Sequence, residues 1–311
     1  MPRLALWTES ARIRIDRKNK KAMTLELNPD IRSLLIVGFG FLGRRVAKAA
    51  TNLGYEVTAT SRSEKRRTEI EAEGCRFLRF DINSPANRLS TYDAWVWCPA
   101  FDRTAGVTVH SAVVSGLMRA ISSSETAPKH LVFTSTTSVY GQSSGEWVDE
   151  NSLCEPRTDS GRAHVEAEKR LLGWASVQGK VATVLRLSGL YGPERVIRRQ
   201  AIAAGEPIAC HPDTWLNIVH GDDAASACLH ALNSANSGIY CISDDRPVLR
   251  REYYETLARL LNAPAPTFVE PRAGEDIGDK RVSNLKARRE LGWAPAYSDI
   301  EKGLAESVKQ G

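Results

Sequence analysis

The apolar positions of the chain change period as it runs. Leu34 to Val37 form an unbroken apolar run, the pattern of a strand buried on both faces of a parallel sheet. Leu42, Val46, Ala49, Ala50 and Leu53 then recur at helical spacing, and the chain returns to a strand that ends at Thr60-Ser61-Arg62. Residues 75–85 (CRFLRFDINSP) predict a third strand ending in Asp81-Ile82, residues 92–100 (YDAWVWCPA) a fourth ending at Pro99-Ala100, and residues 130–141 (HLVFTSTTSVYG) a fifth with hydroxyl residues at its carboxyl end. Strands alternating with helices in this way predict an α/β fold, a Rossmann-like doubly wound parallel sheet. From about Tyr191 the pattern loosens into short helices and strands separated by Pro and Gly, which predicts a small C-terminal substrate subdomain.

Charge sharpens this picture at one end. Lys and Arg number 42 against 37 Asp and Glu, a formal net charge of +5. Residues 1–22 hold seven basic and two acidic side chains, so the whole excess sits there and the remaining chain is balanced. A fold with no net positive footprint is not expected to bind nucleic acid. The basic tail is expected to be disordered, or to precede a start at Met23, and takes no part in the fold argument. No window approaches the roughly 18 apolar residues of a membrane span, so a cytoplasmic protein with no membrane partner is expected. The six cysteines are scattered without a CxxC pair, and Cys210, His211, His220 and Asp222 fit no ligand spacing, so no metal site is expected.

The turn between the first strand and first helix carries candidate chemistry. Gly38, Gly40 and Gly43 form GxGxxG inside a complete strand–turn–helix–strand unit, which lets backbone N–H groups approach a pyrophosphate at a helix N-terminus. Gly38, Phe39, Gly40, Phe41, Leu42 and Gly43 are therefore candidate cofactor-binding residues. NAD-binding chains usually place a carboxylate at the end of the second strand, whereas here Ser61-Arg62 stand there and the first carboxylate is Glu64. An arginine pairs with a 2′-phosphate, so NADP is expected rather than NAD. Asp81, Ile82, Pro99 and Ala100, at the ends of the third and fourth strands, complete the expected crevice. Residues 1–30 are thus expected to be tail, 31–190 an NAD(P)-binding domain, and 191–311 mainly a substrate subdomain with part of its chain returning to the sheet.

The glycine motif, Asp81-Ile82, Cys98-Pro99-Ala100, TSTTSVYG (134–141), LRLSGLYGP (185–193), NIVHGDDAASACLHAL (217–232) and LGWAP (291–295) together resemble the extended short-chain dehydrogenase/reductase superfamily. Their order covers nearly everything from about residue 32 to 308. The likeness is to the NAD-dependent epimerase/dehydratase family, in an atypical YeeZ-like branch. Val37 stands where extended members begin their glycine motif, and Ser188-Gly189 stand where sugar-nucleotide epimerases commonly carry a substrate-contacting asparagine.

The resemblance also implies a catalytic YxxxK dyad within residues 155–172 (EPRTDSGRAHVEAEKRLL), where neither residue occurs. Aligned on Glu168, Ser160 takes the tyrosine position and His164 the lysine position, while Thr136 keeps the upstream hydroxyl. A serine hydroxyl cannot be tuned toward neutrality as the family's tyrosine is, whereas His164 titrates there unaided and shares a helix face with Ser160. Thr136, Ser160 and His164 are the candidate catalytic residues, with His164 or solvent as the proton source; a buried helix histidine is the competing reading. Tyr140 and Tyr191 read as turn-packing aromatics, Asp102 as a helix cap and His220 as support for the subdomain. Arg195, Arg198 and Arg199 suit an anionic substrate or a solvated helix equally.

The expected activity is hydride transfer between NADP(H) and a small carbonyl or hydroxyl substrate, by an oxidoreductase or epimerase-like enzyme. The alternative is an NADP(H)-sensing module that has lost its chemistry. The resemblance further implies a homodimer built from helices near 104–124 and 160–178.

Overall fold

The computed structural model describes residues 25, 27–84, 89–98, 111–272 and 278–309. Seven strands form one parallel sheet: β1 (Ser33–Val37), β2 (Glu56–Ser61), β3 (Arg76–Arg79), β4 (Ala94–Trp97), β5 (His130–Thr136), β6 (Val181–Leu187) and β7 (Gly238–Ile242). Their order across the sheet is β7-β6-β5-β4-β1-β2-β3. Every neighbouring pair is parallel, with Leu34 opposite Val57 on one side and Ala94 on the other. The strand order reverses at β1, so the crevice outside the carboxyl ends of β1 and β4 is where such sheets hold ligands.

The apolar run at β1 splits between two layers because successive side chains point to opposite faces. Leu34 and Ile36 join a core with Val46, Ala50 and Leu229, from helices α1 (Phe41–Leu53) and α6 (Gly221–Leu232). Leu35 and Val37 join the opposite core with Trp95, Trp97, Leu117 and Leu171, against helices α3 (Gly116–Ser123) and α4 (Asp159–Gln178). Two shorter helices, α2 (Arg67–Ala72) and α8 (Leu285–Glu290), lie beside β3 and β7, and the expected doubly wound architecture is present.

Two strand ends fall short of expectation. β3 stops at Arg79, because Asp81 opens a turn in which its side chain accepts from the Asn83 N–H at 2.9 Å. β4 stops at Trp97, and Pro99, Ala100 and Asp102 lie outside the described residues.

The chain after residue 190 divides its allegiance. Helix α6 and strand β7 belong to the main sheet and its covering layer. A separate core gathers Tyr191, Ile202, Ile218, Tyr253, Leu257 and Leu304, uniting helices α5 (Arg199–Ala203), α7 (Arg250–Leu261) and α9 (Ile300–Lys309). Short strand pairs tie this region to the rest: 189–191 with 218–220, and 146–148 with 280–282. No helix of the described residues is long and apolar enough to cross a membrane.

Candidate active site

The glycine turn is held by contacts that only glycine permits. Gly38 has φ 101°, in the left-handed region, and its N–H donates to Thr60 Oγ1 at 3.0 Å, which ties the turn to the end of β2. A Cβ on Gly43 would lie 1.8 Å from the Gly38 carbonyl oxygen and 3.2 Å from Cys98 Sγ, so α1 approaches β1 and β4 as closely as backbone allows. Burial pushes the Cys98 thiol up to about 12, so it packs as a neutral thiol. Gly40 is the N-cap of α1 and gives no side-chain cap, and the first turn carries no acidic residue. The first N–H groups of this helix are thus left for an external acceptor, which suits a pyrophosphate.

Two cavities meet at this turn. One, of about 230 Å³, is lined by Gly38, Phe39, Gly40, Ser61, Arg62 and Ser63, together with Arg66, Phe80 and Ile82. The other, of about 280 Å³, is lined by Gly40, Phe41, Arg44, Arg66, Glu194 and Arg195. Of the residues expected to contact cofactor, Gly38, Phe39, Gly40, Ser61, Arg62 and Ile82 converge on the first cavity and Phe41 on the second. Leu42 is buried in the core and Gly43 packs beneath the turn. Asp81 falls between the lining residues Phe80 and Ile82, and its Oδ1 accepts from the Asn83 N–H within its own turn. Arg66 and Ser63 carry no motif and were not singled out from the sequence, although both follow β2 within five residues.

The catalytic candidates sit at the end of β5 and the start of α4. Thr136 Oγ1 accepts from the Ser138 N–H and lies 3.1 Å from Ser138 Oγ, closing a hydroxyl turn. α4 presses its first turn against this segment, since a Cβ on Gly161 would lie 2.5 Å from the Ser138 carbonyl. Thr136 and the half-buried Ser160 therefore belong to one region.

His164 is placed differently from an open crevice residue. It is 6% exposed, its ring lies 6.0 Å from that of Phe133, and Nδ1 is 2.8 Å from the Ser160 carbonyl. A carbonyl only accepts, so Nδ1 carries the hydrogen and, in the neutral ring, Nε2 is the proton-accepting nitrogen. Burial holds the imidazole below its ordinary pKa, the Ser160 carbonyl opposing only in part. At neutral pH it is uncharged.

One turn beyond His164 lies a buried ionic network. Arg186, on β6, donates to Glu168 from Nε at 3.2 Å and from Nη2 at 2.7 Å, and from Nη1 to Tyr140 Oη at 2.8 Å. Ser135 Oγ also donates to Glu168, and Tyr140 Oη donates to the Asp149 carbonyl. These bonds lock α4, β5 and β6 together under Thr136. Tyr140 is thus more than turn packing: it joins this network and also borders the cavity beyond it.

That cavity, of about 290 Å³, is lined by Ser138, Tyr140, Arg157, Trp215, Arg250 and Lys280, among others. Arg250 and Lys280 are 5% and 8% exposed, an unusual depth for two cations. Arg250 Nε donates to Thr214 Oγ1 at 3.0 Å. Neither Arg250 nor Lys280 was singled out from the sequence, because each reaches the cavity through long-range packing. Arg195 instead borders the glycine turn, and Arg198 adopts φ 58° before α5. Tyr191 and His220 are fully buried, with rings edge-on at 5.3 Å. No group of three or more His, Cys, Asp or Glu residues suited to a metal occurs among the described residues.

A parallel sheet reversing at β1, a glycine turn on an uncapped helix and a second cavity beyond β5 define a Rossmann-type dinucleotide-binding enzyme fold. Residues 34–243 match the NAD dependent epimerase/dehydratase family, and the chain belongs to that family. Membership makes it an enzyme of NAD(P)-dependent epimerase and oxidoreductase type. Protein YeeZ of Escherichia coli strain K12 is 29% identical over 290 residues, which span 86% of this chain and 97% of YeeZ. UDP-glucose 4-epimerase of Streptomyces lividans is 26% identical over 305 residues, spanning 86% of this chain and 92% of its own. Among solved structures, UDP-glucose 4-epimerase from Thermotoga maritima with UDP-glucose is 21% identical with a TM-score of 0.76, covering 89% of this chain and 98% of its own. MoeE5 in complex with UDP-glucose and NAD is 20% identical with a TM-score of 0.75, over the same shares. These structural likenesses establish the fold alone.

Proposed function

We propose that the protein is an NADP(H)-dependent oxidoreductase or epimerase-like enzyme acting on a small anionic carbonyl or hydroxyl substrate. The observation that carries the cofactor choice is the lining of the cavity at the end of β2. Ser61, Arg62, Ser63 and Arg66 border it, and none of its described lining residues is acidic. Among the described residues of that lining no carboxylate is placed to accept from the ribose hydroxyls of NAD, while cations and hydroxyls suited to a 2′-phosphate are supplied. The substrate is assigned to the cavity beyond β5, whose depth of positive charge at Arg250 and Lys280 favours an anionic group.

The bound nicotinamide supplies the hydride acceptor or donor. In this reading Thr136 orients the reacting oxygen, using the hydroxyl now turned to Ser138. As an alcohol is oxidised, its hydroxyl proton passes toward the neutral imidazole of His164 at Nε2, and Ser160 holds the opposite ring nitrogen through its carbonyl. In the reverse reduction the same nitrogen, protonated, returns that proton to the substrate oxygen. His164 is buried and does not line the cavity beyond β5, which favours a second reading in which solvent in that cavity, rather than His164, exchanges the proton.

Calorimetric titration of the purified protein with NADPH and NADH tests the cofactor assignment: NADPH is expected to bind at least about tenfold more tightly, the value of one charge-assisted contact. Equal affinities, or tighter NADH, refute it. Oxidation of bound NADPH by a panel of small keto acids tests the substrate class, and no turnover with any of them counts against a small anionic carbonyl substrate.

A further inference from the structure

The reading of cofactor preference from sequence rests on Arg62, the cation next to the end of β2. The structure draws attention to a different side chain. Arg62 is exposed, whereas Arg66 is half-buried and borders both cavities that meet at the glycine turn. Glu69 grips it from one turn further along: Arg66 Nε donates to Glu69 Oε2 at 2.9 Å and Nη2 to Oε1 at 2.7 Å. Its guanidinium also lies 5.5 Å from the centroid of the Phe39 ring, inside the glycine motif. Glu69 engages two of the five N–H donors of Arg66, Nε and Nη2.

We infer that Arg66, held in place by Glu69, is the principal residue selecting a 2′-phosphorylated adenine dinucleotide over its unphosphorylated counterpart, with Glu69 as its positioning residue. This inference rests on the NADP(H) reading of the same cavity. An arginine on an unconstrained stem loses rotamer freedom when it clamps a phosphate, and one already fixed by a fork and a ring loses much less. Ser61 and Ser63, which border the same cavity, supply hydroxyl donors beside it. Arg62 then contributes general attraction from the rim, screened by salt.

The test is calorimetric titration of NADPH and NADH into the wild-type protein and the Arg66→Gln, Arg62→Gln and Glu69→Gln variants. Arg66→Gln is expected to weaken NADPH about 10- to 100-fold and to leave NADH within about threefold. Glu69→Gln keeps the cation but loosens it, and should weaken NADPH by about three- to tenfold, again sparing NADH. Arg66→Lys, retaining charge without the fork, should recover only part of the loss. The inference is overturned if Arg66→Gln weakens both dinucleotides equally, or if Arg62→Gln alone abolishes the preference. A wild-type protein with no NADPH preference refutes the NADP(H) reading before any variant is considered; a wild-type preference that survives Arg66→Gln refutes only this inference.

Discussion

The glycine-turn site and the cavity beyond β5 are built in opposite ways. The first draws the residues of its ribose-side cavity from positions 37 to 82, nearly consecutive strands and turns. The second collects residues near 137–142, 157–158, 215–217, 250 and 278–280, which meet only when the fold is complete. Backbone conformation sets the first: a left-handed Gly38 and a helix start pressed against it. Long-range packing sets the second, where Arg186, bonded to Glu168, holds the hydroxyl of the lining residue Tyr140. A local site survives rearrangement elsewhere, whereas a distributed one depends on the stability of the whole.

The sharpest way to break the distributed region is to strand one of its charges. Glu168→Leu leaves Arg186 buried at 4% exposure without its carboxylate partner. Breaking such a pair is expected to cost about 3–5 kcal/mol of stability, measured by urea unfolding. A loss below about 1 kcal/mol would mean that the network is not what holds α4 to β5 and β6.

The local region should respond to a single added methyl, with a loss of cofactor binding beyond any loss of stability. Gly43→Ala places a methyl 1.8 Å from the Gly38 carbonyl, so the turn must open. NADPH affinity is expected to fall at least about 100-fold, since the pyrophosphate cradle is that turn. Retained affinity in calorimetry would show that the dinucleotide does not use the glycine turn.

These two sites were not equally legible in the sequence. The apolar run of β1, the helical spacing of α1 and the three glycines specify the first site through local rules, and the structure puts Gly38, Gly40, Ser61, Arg62 and Ile82 around one cavity. Asp81 lies between the lining residues Phe80 and Ile82, in a turn closed by one of its own carboxylate oxygens. At the second site the spacing that puts Ser160 and His164 on one helix face continues through Glu168, Leu171 and Ala175, all buried. That stripe marks the core side of α4, and it explains why His164 packs on Phe133. Arg250 and Lys280 had no local signal, because their place in the cavity depends on α7 and on the pairing of 280–282 with 146–148.

Acid should expose a third contrast, between the foot of β5 and its functional end. His130 is 4% exposed, bonded to Thr183 Oγ1 at 2.9 Å, and burial lowers its pKa to about 4. The unfolded chain, with an ordinary histidine pKa near 6.5, binds the proton more readily, so stability present above that value falls as pH drops toward 4. About 2 kcal/mol should be lost between pH 7.5 and 5 from His130 alone. His164, His220 and His230 are shifted in the same direction by burial and add to the fall. Urea midpoints at the two pH values should lie closer together in His130→Gln; an unchanged gap would exonerate this residue.

Thr136 offers the smallest perturbation and the finest division between the two regions. It ends β5, and its hydroxyl serves the turn into Ser138. Thr136→Val removes the two neutral hydrogen bonds to Ser138 at a half-exposed position, together worth about 1 kcal/mol of stability. If the hydroxyl also orients the reacting oxygen, turnover should fall about tenfold or more while NADPH affinity stays unchanged, and Thr136→Ser should restore most of it. A parallel loss of NADPH affinity would place Thr136 in the dinucleotide site instead. Turnover unaffected by valine would leave the hydroxyl a turn former, and the chemistry would then have to lie deeper along α4 or among the cations of the cavity.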